Sequence, residues 1–297
     1  MNGTTTLRLP GRTLELERGR PLIMGIVNAS PESFSDGAEV ADLATQVRRA
    51  VALTEEGADL IDVGGESGVT GMPPLSPDDE IERVVPLVER LAAEGMIVSV
   101  DTWKAPVAQA ALEAGAAMIN DVSGLRDPLI ADACAAAGAA LVLMHTRVEP
   151  KHKDFPGYDD PVEDVLAFLR ERIALAGQRG LGEEHVVVDP GPDFAKTPAE
   201  TVEVLSRLST LNELGRPILL AASRKDFIGA LTGRAPRERL AGTLAAVGEG
   251  VDQGATILRV HDVADTRDFL AVRGALRGVV KVSGELRLDA ALRREGT

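Results

Sequence analysis

Eight short apolar runs constrain this 297-residue chain more than any other feature. They cover residues 22–27, 59–63, 97–100, 117–119, 140–144, 186–188, 218–221 and 256–258, and each gives way to polar residues. The first, Leu22–Val27, is a continuous apolar run, which suits a strand buried on both faces. Most of the runs are separated by Ala/Leu/Glu/Arg-rich stretches with helical spacing. Within 42–56, for example, Val47, Ala50, Val51 and Leu53 make one apolar face. Strand–helix alternation carried eight times predicts an α/β fold, a single (β/α)8 TIM barrel, with chemistry at the C-terminal strand ends. Residues 1–20 alternate polar and apolar, which predicts a short N-terminal β-hairpin. The barrel is expected over 21–280, and 281–297 is left as a C-terminal tail. No Ser/Gly-rich linker or low-complexity tract marks a second domain.

Charge narrows the function. With 46 acidic against 32 basic residues and a net charge of −14, the chain repels a phosphodiester backbone. Aromatics at 3% leave few stacking platforms for single strands. No nucleic-acid partner is expected. No apolar run reaches about 18 residues, so no membrane span is expected. The N-terminus lacks a signal-peptide core. The single cysteine, Cys134, cannot form an internal disulfide and fits a reducing compartment, which points to a cytoplasmic location. The polar loop 146–161 exceeds the usual connection length and is expected to act as a lid. Pro77-Asp78-Asp79-Glu80 puts acids at a helix N-terminus, where the dipole favours them.

The polar endings are the candidate functional residues. Asp101 is either a ligand contact or a helix N-cap. Asn120-Asp121 serves as ligand contact or turn former. Asp189-Pro190-Gly191 holds a carboxylate at the barrel mouth. Lys225 suits hydrogen-bond donation or, less well, a Schiff base. Arg259 and His261, two residues apart, face one side of an extended segment. Carboxylates and an amide can read a flat heterocycle bearing donors and acceptors, and Arg259 can stack on its face. Asn28 and His261, from the first and last strands, are neighbours in a closed barrel and suit an anionic leaving group. No His or Cys spacing for a transition metal is present. A metal would be Mg²⁺-like, held by oxygens and substrate phosphates.

Together these residues resemble the dihydropteroate synthase family from Pro21 to the helix after Val263. The resemblance rests on Met24-Gly25-Ile26-Val27-Asn28-Ala29-Ser30-Pro31-Glu32-Ser33-Phe34-Ser35-Asp36, Asp62-Val63-Gly64-Gly65-Glu66-Ser67, Ser99-Val100-Asp101-Thr102-Trp103-Lys104, Ile119-Asn120-Asp121, Met144-His145, Asp189-Pro190-Gly191, Ser223-Arg224-Lys225 and Arg259-Val260-His261-Asp262. It implies an enzyme that joins 6-hydroxymethyl-7,8-dihydropterin pyrophosphate to p-aminobenzoate and releases pyrophosphate, as a homodimer. It implies a pterin pocket of Asp101, Asn120, Asp189 and Lys225 with Met144 nearby, and Arg259 on the ring. It also implies Asn28 beside Mg²⁺ and pyrophosphate, His261 at the anion site, and Ser223 and Phe194 along the aminobenzoate pocket. Asn28, Asp101, Lys225, Arg259 and His261 are the expected catalytic set.

The chain departs from the family pattern at three places. Thr-Arg-Pro-Gly after Ser67 is replaced by Gly68-Val69-Thr70-Gly71, which removes a phosphate contact of roughly 1.5–3 kcal/mol. Met-Gln-Gly after His145 is replaced by Thr146-Arg147-Val148, and Arg147 offers a substitute cation. Asp193 and Ala195 stand where the family prefers glycine. These departures keep two alternatives open: a diverged pterin-binding paralogue, and a methyl-folate-binding methyltransferase module. Asn28 with His261 argues against the module.

Overall fold

The structure is a computed structural model that describes residues 4–29, 42–66, 73–289 and Leu292. The motif positions Gly68 and Val69 lie outside the described residues, as does most of the loop after Asn28. An antiparallel hairpin of β1 (Thr4–Leu9) and β2 (Arg12–Glu17) precedes the barrel. The barrel strands are β3 (Leu22–Asn28), β4 (Leu60–Gly64), β5 (Val98–Asp101), β6 (Met118–Asp121), β7 (Ala140–Met144), β8 (Val186–Asp189), β9 (Ile218–Leu220) and β10 (Ala255–Val260). All pair in parallel in chain order, and β10 closes onto β3. Helices α1 (Leu43–Glu56), α2 (Pro77–Ala93), α3 (Ala105–Glu113), α4 (Leu129–Ala137), α5 (Pro161–Gln178) and α6 (Pro198–Ser206) fill the crossovers up to β9. Between β9 and β10 lie α7 (Asp226–Thr232) and α8 (Leu240–Gln253), and α9 (Val263–Leu276) follows β10.

Most of the strands run further than their apolar runs. Asp101, Asn120-Asp121, Asp189 and Arg259 lie inside strands, because the backbone ladder continues to them whatever the side chain. Asp101 is therefore no N-cap: α3 starts after Lys104, with no side-chain cap. Local capping works elsewhere. Asp42, Ser76 and Asp160 accept backbone N–H groups at the starts of α1, α2 and α5. Thr197 and Glu200 form a capping box on α6.

Side-chain alternation along the strands divides the core. Ile23, Ile61, Ile119 and Leu258 point outward and pack with Leu53, Leu87, Leu91 and Leu169 of the helices. Met24, Leu60, Met118 and Ile257 point inward. Leu7, Leu9 and Leu16 of the hairpin join that inner cluster and close the barrel floor. The floor is thus apolar, and the inward positions nearer the C-terminal rim are free to be polar.

Asp78, Asp79 and Glu80 do lie in the first turn of α2, and Glu80 is fully buried there. Lys104 Nζ lies 2.6 Å from Glu80 and 2.6 Å from Glu66, and donates to the Leu75 carbonyl at 2.8 Å. Glu66 also pairs with Lys151 of the long loop, at 3.1 Å. This cluster ties α2, α3 and the segment after β4 together. Removing one partner of a buried ion pair leaves charge uncompensated. Lys104→Met should lower the unfolding free energy by about 3 kcal/mol, measured by urea denaturation; an unchanged midpoint would contradict it.

Candidate active site

Strand register builds the site. Asn28, Gly64, Asp101 and Asn120 are consecutive Cα partners across β3, β4, β5 and β6. They form one row at the C-terminal rim. Met144 pairs with Asp189 across β7 and β8. Asp62 and Ser99 lie two residues before Gly64 and Asp101, so they face inward one level deeper.

The centre of this layer is an ion cluster. Arg259 Nε lies 2.6 Å from Asp62 Oδ2, and Arg259 NH2 lies 2.9 Å from Asp101 Oδ2. Asn120 Nδ2 donates to Asp62 at 3.3 Å. Burial opposes the charge on Arg259, but Asp62 and Asp101 outweigh it and hold its pKa above the ordinary value. Burial raises Asp101, with Arg259 opposing. Three buried acceptors of the layer, Asp62 Oδ1, Ser99 Oγ and Asn120 Oδ1, have no hydrogen-bond partner among the described residues. An unmet buried polar group costs about 1–3 kcal/mol. Folding alone does not reward such an arrangement, and a ligand presenting N–H groups would.

The pair Asn120-Asp121 divides its labour. Asn120 faces the site, whereas Asp121 accepts the backbone N–H groups of Ser123 and Leu125 at 2.7 Å each and shapes the following loop. Asp189 accepts the Gly191 N–H at 2.7 Å, and burial raises its pKa to about 6. Gly191 has φ +64, and a Cβ there would meet the His145 carbonyl at 2.1 Å. Only glycine lets the β8 loop lie on β7. Lys225 sits over the Phe194 ring, 4.2 Å from its centroid, and burial lowers its pKa. Ser223 Oγ lies 2.9 Å from His261 Nδ1 and accepts the His261 backbone N–H. Burial and the neighbouring Arg259 hold His261 down at about 4. A cavity of about 360 Å³ opens between the long loop and the β8 and β9 loops, lined by Lys151, Phe155, Phe194, Arg224 and Lys225 among others. The Tyr158 hydroxyl of the long loop donates to the Ala195 carbonyl at 2.8 Å.

Two of the sequence departures have structural explanations. Arg147 does not turn into the site: it makes a two-pronged pair with Asp164 of α5, at 2.9 and 2.8 Å, and lies over Phe168. Asp193 and Ala195 have φ values of +66 and +53, which is why glycine is at home there. The Asp193 carboxylate offsets that strain by accepting the Asp226 and Phe227 N–H groups at the start of α7.

The donor set bears on Mg²⁺. Among the described residues no group of three or more His, Cys, Asp or Glu side chains is placed to hold a metal. Asn28 contributes one exposed amide oxygen at the rim. That fits a hard cation that arrives on phosphate oxygens and keeps much of its water.

The sequence matches the family described as pterin binding enzyme over residues 24–261. The chain belongs to the dihydropteroate synthase family. It is 42% identical to dihydropteroate synthase of Bacillus subtilis over 246 residues, 82% of this chain and 84% of that one. The Xanthomonas albilineans dihydropteroate synthase solved with 4-aminobenzoic acid is 45% identical, with a TM-score of 0.85 over 93% of this chain and all of that chain. The same organism's enzyme in complex with 7,8-dihydropteroate is 44% identical, with a TM-score of 0.82 over 92% of this chain and all of that chain.

Asp62 and Lys196 were not among the expected site residues. Asp62 has a sequence signal, a lone acid inside an apolar strand. Lys196 has none, because it lies within the loop between β8 and α6. Yet Lys196 is only 1% exposed, with Nζ 2.7 Å from His145 Nδ1. The raised Asp189 carboxyl has a stability consequence. Between pH 3.8 and about 6 the folded state holds a proton that the unfolded state releases, so stability falls as pH rises through that window. Asp189→Asn removes the buried charge. It should therefore melt ~3 °C above the parent at pH 8, with no gain at pH 4, by calorimetry; a gain independent of pH would contradict the assignment.

Proposed function

We propose that the chain is a dihydropteroate synthase that condenses 6-hydroxymethyl-7,8-dihydropterin pyrophosphate with p-aminobenzoate and releases pyrophosphate. The observation that carries this is the polar layer: Asp62, Ser99 and Asn120 leave buried acceptors unmet beside Arg259, Asp101 and Asp189. A pterin supplies ring N–H and amino groups to carboxylates and an amide, and presents a face to a guanidinium. Asp101, Asn120, Asp189 and Lys225 bind the ring edge in this reading, with Met144 packed below and Arg259 on the face.

Departure of pyrophosphate leaves positive charge on the pterin methylene, and the electron-rich pterin ring, held by Asp101 and Asp189, spreads it. The arylamine, held beside Phe194 and Ser223, then attacks the methylene carbon and loses a proton. No protein nucleophile is required, and Lys225 acts as a donor rather than as a Schiff base. In this reading Ser223 Oγ, which accepts the His261 backbone N–H, donates its O–H to His261 Nδ1, and Nε2–H meets a phosphate oxygen. Asn28 would hold Mg²⁺, which supplies charge neutralisation for the phosphates when bound. The rate advantage rests on positioning and on preset electrostatics.

We also propose a homodimer formed through barrel helices; exposed Leu231 on α7 and Val272 and Leu276 on α9 support it. No helix of the described residues is long and apolar enough to cross a membrane, and the unpaired Cys134 suits a cytoplasmic setting.

Pyrophosphate release should require both substrates. Asp189→Ala should weaken pterin binding by about 100-fold, read by calorimetry, and an unchanged affinity would remove the pocket assignment. Release no greater than that of His261→Ala would favour the diverged paralogue. Val69→Arg should raise kcat/KM by roughly tenfold by restoring a phosphate contact; no gain would place the defect elsewhere.

A further inference from the structure

Lys196 is a buried lysine that the chemistry above does not use. Its Nζ lies 2.7 Å from His145 Nδ1, 3.0 Å from the Gly191 carbonyl and 3.2 Å from the Phe194 carbonyl. An ammonium has three N–H bonds, and these are three acceptors.

The partner of His145 settles the direction of the bond. His145 Nε2 lies 2.8 Å from Asp164 Oδ1. Asp164 is held well below the usual carboxylate range, first by that contact and also by Arg147. An ionised carboxylate only accepts, so Nε2 carries the proton and Nδ1 offers a lone pair to Lys196. Burial lowers His145 to about 4 and keeps the ring neutral. Burial and, less strongly, the Lys225 cation pull Lys196 down to about 7, while its three hydrogen-bond partners, all acceptors, and the Asp189 and Asp164 carboxylates favour its charged form.

The segment that Lys196 grips is strained, with positive φ at Asp193 and Ala195. No strand or helix ladder holds it, since it lies between the end of β8 and the start of α6; besides Lys196 it is tied by Asp193 to the start of α7 and by Tyr158 to the Ala195 carbonyl. Phe194 is carried on it, half-buried against Lys225. Asp189 itself lies in the β8 ladder, outside that segment.

We propose that Lys196 is a positioning residue for the arylamine side of the site, locking the 191–196 segment so that the Phe194 ring is held in place under Lys225. The Lys196 charge also reaches Asp189, whose pKa it lowers, but its hydrogen bonds go to His145 and to the Gly191 and Phe194 carbonyls and not to that carboxylate. The inference rests on the synthase reading for its substrate, but its local mechanics do not.

Lys196→Met keeps the aliphatic stem and removes the three bonds. It should raise the KM for p-aminobenzoate by about tenfold or more and leave the KM for the pterin pyrophosphate within about threefold. Phe194→Ala should give the same split, and the double variant should be no worse than the worse single one. Equal shifts in both KM values, or parental kinetics with a lowered Tm, would overturn the assignment. Hydrogen exchange gives a readout independent of turnover. Amides of the 191–196 segment should exchange about tenfold faster in Lys196→Met with β8 unchanged; uniform or absent change would overturn the locking role. An inactive parent that still shows this local exchange pattern would count against the synthase reading alone. If Lys196→Met does not fold, His145→Gln removes the Nδ1 acceptor while keeping a group for Asp164. It should move both readouts in the same direction by about threefold, and parental values for both would overturn the proposal.

Discussion

Closure of β10 onto β3 is the constraint on which the site depends. Four parallel Cα pairs, from Ile257–Leu22 to Val260–Gly25, join the last strand to the first. The join brings Arg259 into reach of Asp62 and Asp101, which precede it by 197 and 158 residues. Closure also puts β10, which leads into His261, beside β3, which ends in Asn28. A sheet left open there would expose two edges and would place a guanidinium and two carboxylates in separate environments. Inside the closed wall they share one low-dielectric site, where Arg259 favours the ionised form of Asp101 against burial and against the neighbouring Asp62.

The barrel interior is divided along its axis. The lower half is filled by Met24, Leu60, Met118 and Ile257 and plugged by leucines of the hairpin. The upper half holds charges and unmet acceptors. This division lets the fold carry an unfavourable layer: the helix–strand core outside is continuous and apolar, and the floor excludes water from below. Asp189, raised to about 6, and the orphaned oxygens of Asp62 and Asn120 work against stability and prepare the site for a ligand.

The outer segments are held to this frame by salt bridges rather than by sheet. Lys104 and Lys151 converge on Glu66, so the segment after β4 is tied both to α3 and to the long loop. Lys196, His145, Asp164 and Arg147 form a second chain that links the β7 loop, the β8 loop and α5. In both, a buried cation is surrounded by acceptors from different crossovers. Precise loop positions follow from such hubs, since the loops have no ladder of their own.

Much of this was legible in the residues. The apolar runs located the strands, and the residues at their ends located the mouth. The strands overran most of their apolar runs because ladder hydrogen bonds ignore side-chain polarity. Asp62 announced itself as an acid within Leu60-Ile61-Asp62-Val63. Lys196 and the inward turn of Glu80 did not, because burial of a charge in a loop or a helix start depends on partners far along the chain. Arg147 was misleading for the same reason: its partner, Asp164, is chosen by the packing of α5. What the sequence by itself determined was the alternation, and with it the barrel, the family and the inventory of polar groups at the rim. Only the tertiary structure decided which charges meet, which acceptors stay unmet and which lysine holds a loop, because these follow from barrel closure and strand register, neither of which is a local property of the chain.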